Sequence, residues 1–144
     1  RLIISASEYV GLANPNAMII ANAAFDAVSK IGMPEARIPL ANATIYLALC
    51  DKSNSSYQAI NSALSEVTNN PITEVPLHLI NAVTDIDKEF GAGQGYKYDH
   101  NSKEGFVRKN NFPKNLSNKK FYTPKNLGTE KRLKEKFEQL WKDT

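Results

Sequence analysis

The sequence predicts an all-α fold. Three observations carry that reading. Apolar residues recur at three-and-four spacing through residues 15–67, which is the period of a helix packed on one side. Start and stop residues bracket these stretches: Asn14-Pro15 and Ser53-Asn54-Ser55 before them, Gly32-Met33-Pro34 and Asn69-Asn70-Pro71 after them. The length of 144 residues, with 42% hydrophobic and 23% charged residues, suits one soluble globular domain.

The first helix is expected over Pro15–Ile31. Asn14 can cap it and Pro15 suits its first turn. Met18, Ala21, Phe25 and Val28 share one side, and Ala17, Ile20, Ala24 and Ile31 widen the apolar surface. Gly32 stops it. A second helix is expected from Pro39 to about Asp51, where Leu40, Ala43, Ile45, Tyr46, Leu47 and Leu49 leave Asn42 and Thr44 as the main polar positions. Both helices are apolar over more of their girth than one core face needs, so both should be buried on more than one side. A third helix follows the Ser53–Ser55 cluster, with Tyr57, Ile60, Ala63, Leu64 and Val67 as an ordinary one-sided stripe. One or two short helical turns are expected in 76–90, the last at Asp85–Phe90.

Beyond Gly91 the texture changes. Glycines at 91, 93, 95 and 105 and prolines at 113 and 124 interrupt a Lys-, Asn- and aromatic-rich stretch without a sustained period. Irregular structure is expected over 91–128, with a short hairpin around Tyr96–Val107. Thr129 can cap a last helix whose stripe is Leu133, Phe137, Leu140 and Trp141. Glu130–Lys134 and Glu138–Lys142 should pair along it, for about 0.2–0.5 kcal/mol each. The chain thus divides as one domain, 1–144, into a helical body (1–90), an irregular basic segment (91–128) and a C-terminal helix (129–144).

The single cysteine, Cys50, excludes an internal disulfide and cysteine-built metal clusters. No apolar run approaches the 18–20 or so residues of a membrane span. The chain begins at Arg1 without a signal-like segment, which predicts a piece of a longer cytoplasmic protein. Catalytic constellations are not evident. Gly91-Ala92-Gly93-Gln94-Gly95 lacks the Lys-Ser/Thr ending of a phosphate loop and runs into Tyr96-Lys97-Tyr98. His78 and His100 have no ligand at helical spacing. Cys50 ends an apolar helix face, and Asp85 and Glu89 read as solvated helix carboxylates.

The formal charge of +3 conceals a split. Residues 1–90 hold five basic and nine acidic side chains, a net of −4; residues 91–144 hold thirteen and six, a net of +7. In the basic part Tyr96, Lys97, Tyr98, Arg108, Lys109, Lys119 and Lys120 interleave cations and rings. That mixture suits single-stranded nucleic acid, with charges tracking phosphates and rings stacking bases. It equally suits rings that anchor an irregular segment to the core while lysines keep it soluble.

Several phrases stand together in order: Ala6-Ser7-Glu8-Tyr9-Val10-Gly11-Leu12-Ala13-Asn14-Pro15, Ile31-Gly32-Met33-Pro34-Glu35-Ala36-Arg37-Ile38-Pro39-Leu40-Ala41, Tyr46-Leu47-Ala48 and Lys52-Ser53-Asn54-Ser55-Ser56-Tyr57. Pro76-Leu77-His78-Leu79, Gly95-Tyr96-Lys97-Tyr98-Asp99-His100 and Phe121-Tyr122-Thr123-Pro124 follow. Over nearly the whole chain this order resembles the C-terminal region of the replication-associated recombination protein A family. These are AAA+ ATPases related to clamp loaders and to the Werner-helicase-interacting protein. The resemblance implies a helical oligomerisation domain like that of clamp loaders, a homotetramer, and work in DNA replication, recombination and repair at stalled forks. It implies that ATP and Mg2+ are bound upstream, that this fragment holds no cofactor or catalyst, and that DNA and replication proteins such as single-strand-binding protein are possible partners. Subunit contacts would explain the surplus apolar girth, so Met18, Ala21, Phe25, Val28, Leu40, Ile45 and Leu47 are the expected interface residues.

Overall fold

Among the described residues five helices follow a helical N-terminal run, a long, mostly irregular stretch precedes the last of them, and no strand occurs. The computed structural model describes residues 1–71, 74–116 and 119–142. They gather into two compact units: Arg1–Ser65 with Phe121–Gln139, and Glu66–Lys120 with Leu140–Thr144.

The first unit opens on α1 (Leu2–Ser5), which continues as a wider π turn over Ala6–Val10 and a tight turn over Gly11–Ala13. Helix α2 (Asn16–Ile31) follows, with the Asn14 side chain accepting from the Asn16 amide at 3.2 Å. Helix α3 (Arg37–Leu49) starts two residues before the expected Pro39. Pro39 then sits in the first turn, where a missing N–H removes no helical bond. At the other end Lys52 turns its ammonium onto the carbonyls of Leu47 (2.9 Å), Ala48 (3.3 Å) and Cys50. Those carbonyls lack helical partners, and a cation favours that end of the helix dipole. Helix α4 (Ser55–Asn69) begins at the serine cluster, as its capping residues require.

The core of this unit is built from small residues. Ala6, Val10, Ala17, Ala21 and Leu47 form it, and Ala13, Ala24, Ala36 and Ala43 are buried as well. Alanines let α2 and α3 approach closely, but they bury little area each. At about 25 cal/mol per Å² such a core stabilises weakly for its number of residues. The larger apolar side chains of these two helices mostly point outward. The stripe of α4 does too: Tyr57, Ile60, Leu64 and Val67 are all exposed, where an ordinary core-facing stripe was expected.

The C-terminal segment clasps this unit. Gly11 and Gly128, both at positive φ, lie so close to the Ser53 and Ala13 carbonyl oxygens that a Cβ at either position would overlap them. Thr129 donates its amide to the same Ala13 oxygen at 2.8 Å. Helix α6 (Glu130–Leu140) then starts with a fully buried carboxylate. Glu130 Oε1 accepts from the Ser55 hydroxyl and, at 2.9 Å, from the Tyr122 hydroxyl. Ser53 donates to Ser55 behind it at 3.1 Å, and Lys125 donates to Asn54 at 2.5 Å. Oε2 is buried without a bond of its own, so the Oε1 bonds hold the node. Burial pushes the Glu130 carboxyl up, but the Ser53, Ser55 and Tyr122 hydroxyls outweigh it and hold the group below the ordinary carboxylate value. Burial, then the bond to Glu130, pushes the Tyr122 phenol up to about 12. The expected Glu130–Lys134 surface pair is thereby corrected: Glu130 turns inward, because buried donors of two segments converge on it. Tyr122 also packs edge-on against Phe137 at 6.2 Å.

The second unit is mostly turns. A tight turn at Leu77–Leu79 precedes α5 (Asp85–Glu89). Thr84 caps α5 by accepting from the Asp87 amide at 3.1 Å, while Asp87 accepts from the Thr84 amide at 2.7 Å. These bonds, those of Thr84 first, hold the Asp87 carboxyl below its ordinary value. The glycine cluster folds back on the first turn, with the Gly93 amide on the Leu77 oxygen at 2.7 Å. The expected hairpin around Tyr96–Val107 is absent. In its place Asp99 Oδ1 accepts from the Val107 amide (3.0 Å) and Ser102 Oγ from the Phe106 amide (2.9 Å). Polar side chains thus satisfy the backbone that a ladder would have paired, the usual competition offered by Asp and Ser. Phe106 meets Trp141 edge-on at 5.6 Å, and Arg108 donates to the Leu140 oxygen at 2.7 Å.

Candidate self-association interface

Unpartnered apolar helix surface is the distinctive feature of the first unit. Two concave faces carry it. One is a shallow groove of about 130 Å³ between α1, α2 and the start of α3, lined by Leu2, Ile3, Ala24, Phe25, Val28 and Leu40. The other is an open cleft of about 480 Å³ along the second half of α3. Ile45 and Leu49 form its apolar wall, and Asn14, Asn42, Tyr46, Cys50 and Asp51 complete it. Its polar groups largely satisfy one another: the Asn14 amide donates to Tyr46 Oη at 3.0 Å and to Cys50 Sγ at 3.3 Å. The cleft therefore offers shape and apolar surface more than unspent hydrogen-bonding groups.

The expected interface residues fall into two groups. Phe25 is 66% exposed, Ile45 59%, Met18 46% and Leu40 37%, with Val28 half-buried beside Phe25. These lie on free surface. Ala21 and Leu47 do not: both are buried in the core of the unit itself, where α2 packs on the N-terminal run and on α3. Both belong to the core of the unit, and Ala21 also lines the first groove. Residues outside the expected set are as prominent: Leu49 is 82% exposed, and Ile19, Met33 and Ile38 are exposed too. One signal could have found Ile38 and Leu49. No charged residue occurs from Ile38 to Leu49, so an exposed helix there has nothing to hold water but Asn42 and Thr44.

The basic residues expected to meet nucleic acid lie mainly in the second unit. Tyr96 and Tyr98 are exposed, and Tyr98 stacks obliquely on His100 at 5.0 Å. Several cations are engaged within the protein. Lys109 donates to the Gly95 oxygen, Arg108 to the Leu140 oxygen, and Lys119 pairs with Glu66 at 2.9 Å. The Lys119 bond, against a smaller desolvation effect, holds Glu66 below its ordinary value. Lys97 and Lys120 are exposed. No group of three metal-ligating side chains occurs among the described residues, and no helix there is long and apolar enough to cross a membrane. Gly91–Gly95 follows the short α5 and leads into irregular chain, not from a strand into a helix as phosphate loops do.

Comparison with known proteins identifies relatives over nearly the whole chain. The family described as MgsA AAA+ ATPase C terminal matches residues 1–141. The chain is 43% identical to replication-associated recombination protein A of Bacillus subtilis over 99% of its own length and 34% of the relative's. It is 42% identical to the protein of that name from Haemophilus influenzae, over 97% of this chain and 32% of the relative. It is 34% identical to ATPase WRNIP1 of Dictyostelium discoideum, over 85% of this chain and 14% of the relative. The chain spans about a third or less of the length of these curated relatives. With a family match over nearly every residue, the chain belongs to the family of MgsA AAA+ ATPase C-terminal domains.

Proposed function

We propose that this chain is the self-association module of an AAA+ ATPase of replication-associated recombination, holding copies together as a tetramer. One observation supports this most. Small alanines fill the core of the first unit while Phe25, Ile45 and Leu49 face outward. Monomeric proteins rarely leave this much apolar surface open, and interfaces between identical chains are relatively apolar. The relatives' names supply the setting of replication-associated recombination. ATP and Mg2+ would be held elsewhere in the longer protein, and this part would place subunits without catalysing a step. Nucleic-acid binding through residues 96–125 ranks second, because Arg108, Lys109 and Lys119 are already engaged within the protein.

Light scattering coupled to gel filtration tests the first reading. The chain should run at about four times its 16.0 kDa mass at micromolar concentration. Phe25→Asp should lower that mass with the circular dichroism unchanged, since Phe25 makes little of the monomer's core. A clean monomer would sink the proposal.

A further inference from the structure

We infer that α3 is the seam of a two-fold contact, lying antiparallel against the α3 of a second copy. This rests on the self-association reading and names the element, direction and register.

Ile38, Ala41, Asn42, Ile45, Ala48 and Leu49 stand at i, i+3, i+4, i+7, i+10 and i+11, and all six are exposed. That spacing makes one continuous stripe along the helix. The stripe carries no charge: Arg37 opens α3, with Glu35 two residues before it, and Asp51 lies two residues past its close. Asp51 borders the same cleft as Asn42, Ile45 and Leu49, so it stands on the side of the stripe. Lys52, its neighbour, turns its ammonium onto the last carbonyls of α3.

A two-fold axis makes this arrangement complementary to itself. In an isologous contact each residue pair occurs twice. Antiparallel pairing about a point between Asn42 and Ile45 sets Ile38 against the second copy's Leu49 and Asn42 against its Ile45. The same register brings Arg37 to the second copy's Asp51. Parallel pairing would bring Arg37 to Arg37 and Asp51 to Asp51, which opposes it. Ala41 and Ala48 let the two backbones approach. Asn42, the polar member of an apolar seam, selects register at some cost in stability, as single polar positions do in coiled coils. The groove at Phe25 and Val28 has Arg1 at its edge but no carboxylate in its lining, whereas the α3 face is flanked by charges of both signs.

Two measurements test the seam, in the Cys50→Ser background. The double variant Ile38→Cys, Leu49→Cys should give a covalent dimer on oxidation, while either single variant should give none. A bridge within one helix is excluded, because eleven residues span about 16 Å and a disulfide needs Cα atoms within about 7 Å. Arg37→Asp should raise the dissociation constant about tenfold, Asp51→Arg likewise, and the double exchange should restore it. The rescue separates a cross-seam pair from a folding defect. Cross-linking by the single variants, or an assembly with no cross-link and no rescue, overturns the seam and leaves self-association standing. A monomeric parent overturns both.

Discussion

Replacing Glu130 by alanine should loosen the whole C-terminal clasp. The carboxylate is fully buried and accepts two hydroxyl donors, Ser55 and Tyr122. Hydrogen bonds to a charged acceptor contribute about 1.5–3 kcal/mol each, so the two together are worth about 3–6 kcal/mol. Removing the group also relieves the buried Oε2, which has no bond and costs about 1–3 kcal/mol where it stands. The net loss is then about 3 kcal/mol, a large share of the roughly 5–15 kcal/mol of a typical domain. Glu130→Gln keeps the shape and one acceptor and should lose about half as much. Urea unfolding followed by circular dichroism measures both, with hydrogen exchange of the α6 amides to detect local release. The dependence on acid provides a second check. Glu130 has its pKa lowered by folding, so its contribution is present above its ordinary value of 4.5 and is lost as pH falls through the folded value. The alanine variant should lose that part of the acid sensitivity. An alanine variant within about 0.5 kcal/mol of the parent, with unchanged α6 exchange, would refute the clasp.

Two further outcomes follow from the same region. Gly128→Ala combines a positive φ with a Cβ that overlaps the Ala13 oxygen, so it should destabilise by more than the roughly 1–3 kcal/mol of the backbone strain alone; equal urea midpoints would contradict the close approach. Tyr122, raised to about 12, contributes stability that is present below pH 10 and is lost as pH rises towards 12. Tyrosinate absorbance should therefore show one late phenol, which Tyr122→Phe removes and Glu130→Ala moves earlier; a late phenol that survives Tyr122→Phe would show that the assignment is wrong.

Much of the helical plan was legible before the structure. Asn14 before α2, the serines before α4 and Thr129 before α6 mark starts by local chemistry, and local chemistry is what sequence carries. The family was legible too, through ordered phrases that run from Ala6 to Pro124. The hairpin at Tyr96–Val107 failed because Asp99 and Ser102 offered the backbone side-chain partners, a competition that no periodicity registers. Glu130 looked like a surface partner of Lys134, since its burial depends on Ser55, seventy-five residues away.

By itself the sequence determined an all-α chain with more apolar helix surface than its own core can use. Only the tertiary structure decided which part of that surface is spent. An apolar residue shows its period along a helix, but a helix apolar all round has no preferred side. Packing of small alanines drew Ala21 and Leu47 inward and left Phe25, Ile45 and Leu49 outside. The sidedness of α2 and α3 follows from which neighbours approach closest, and that is a long-range property.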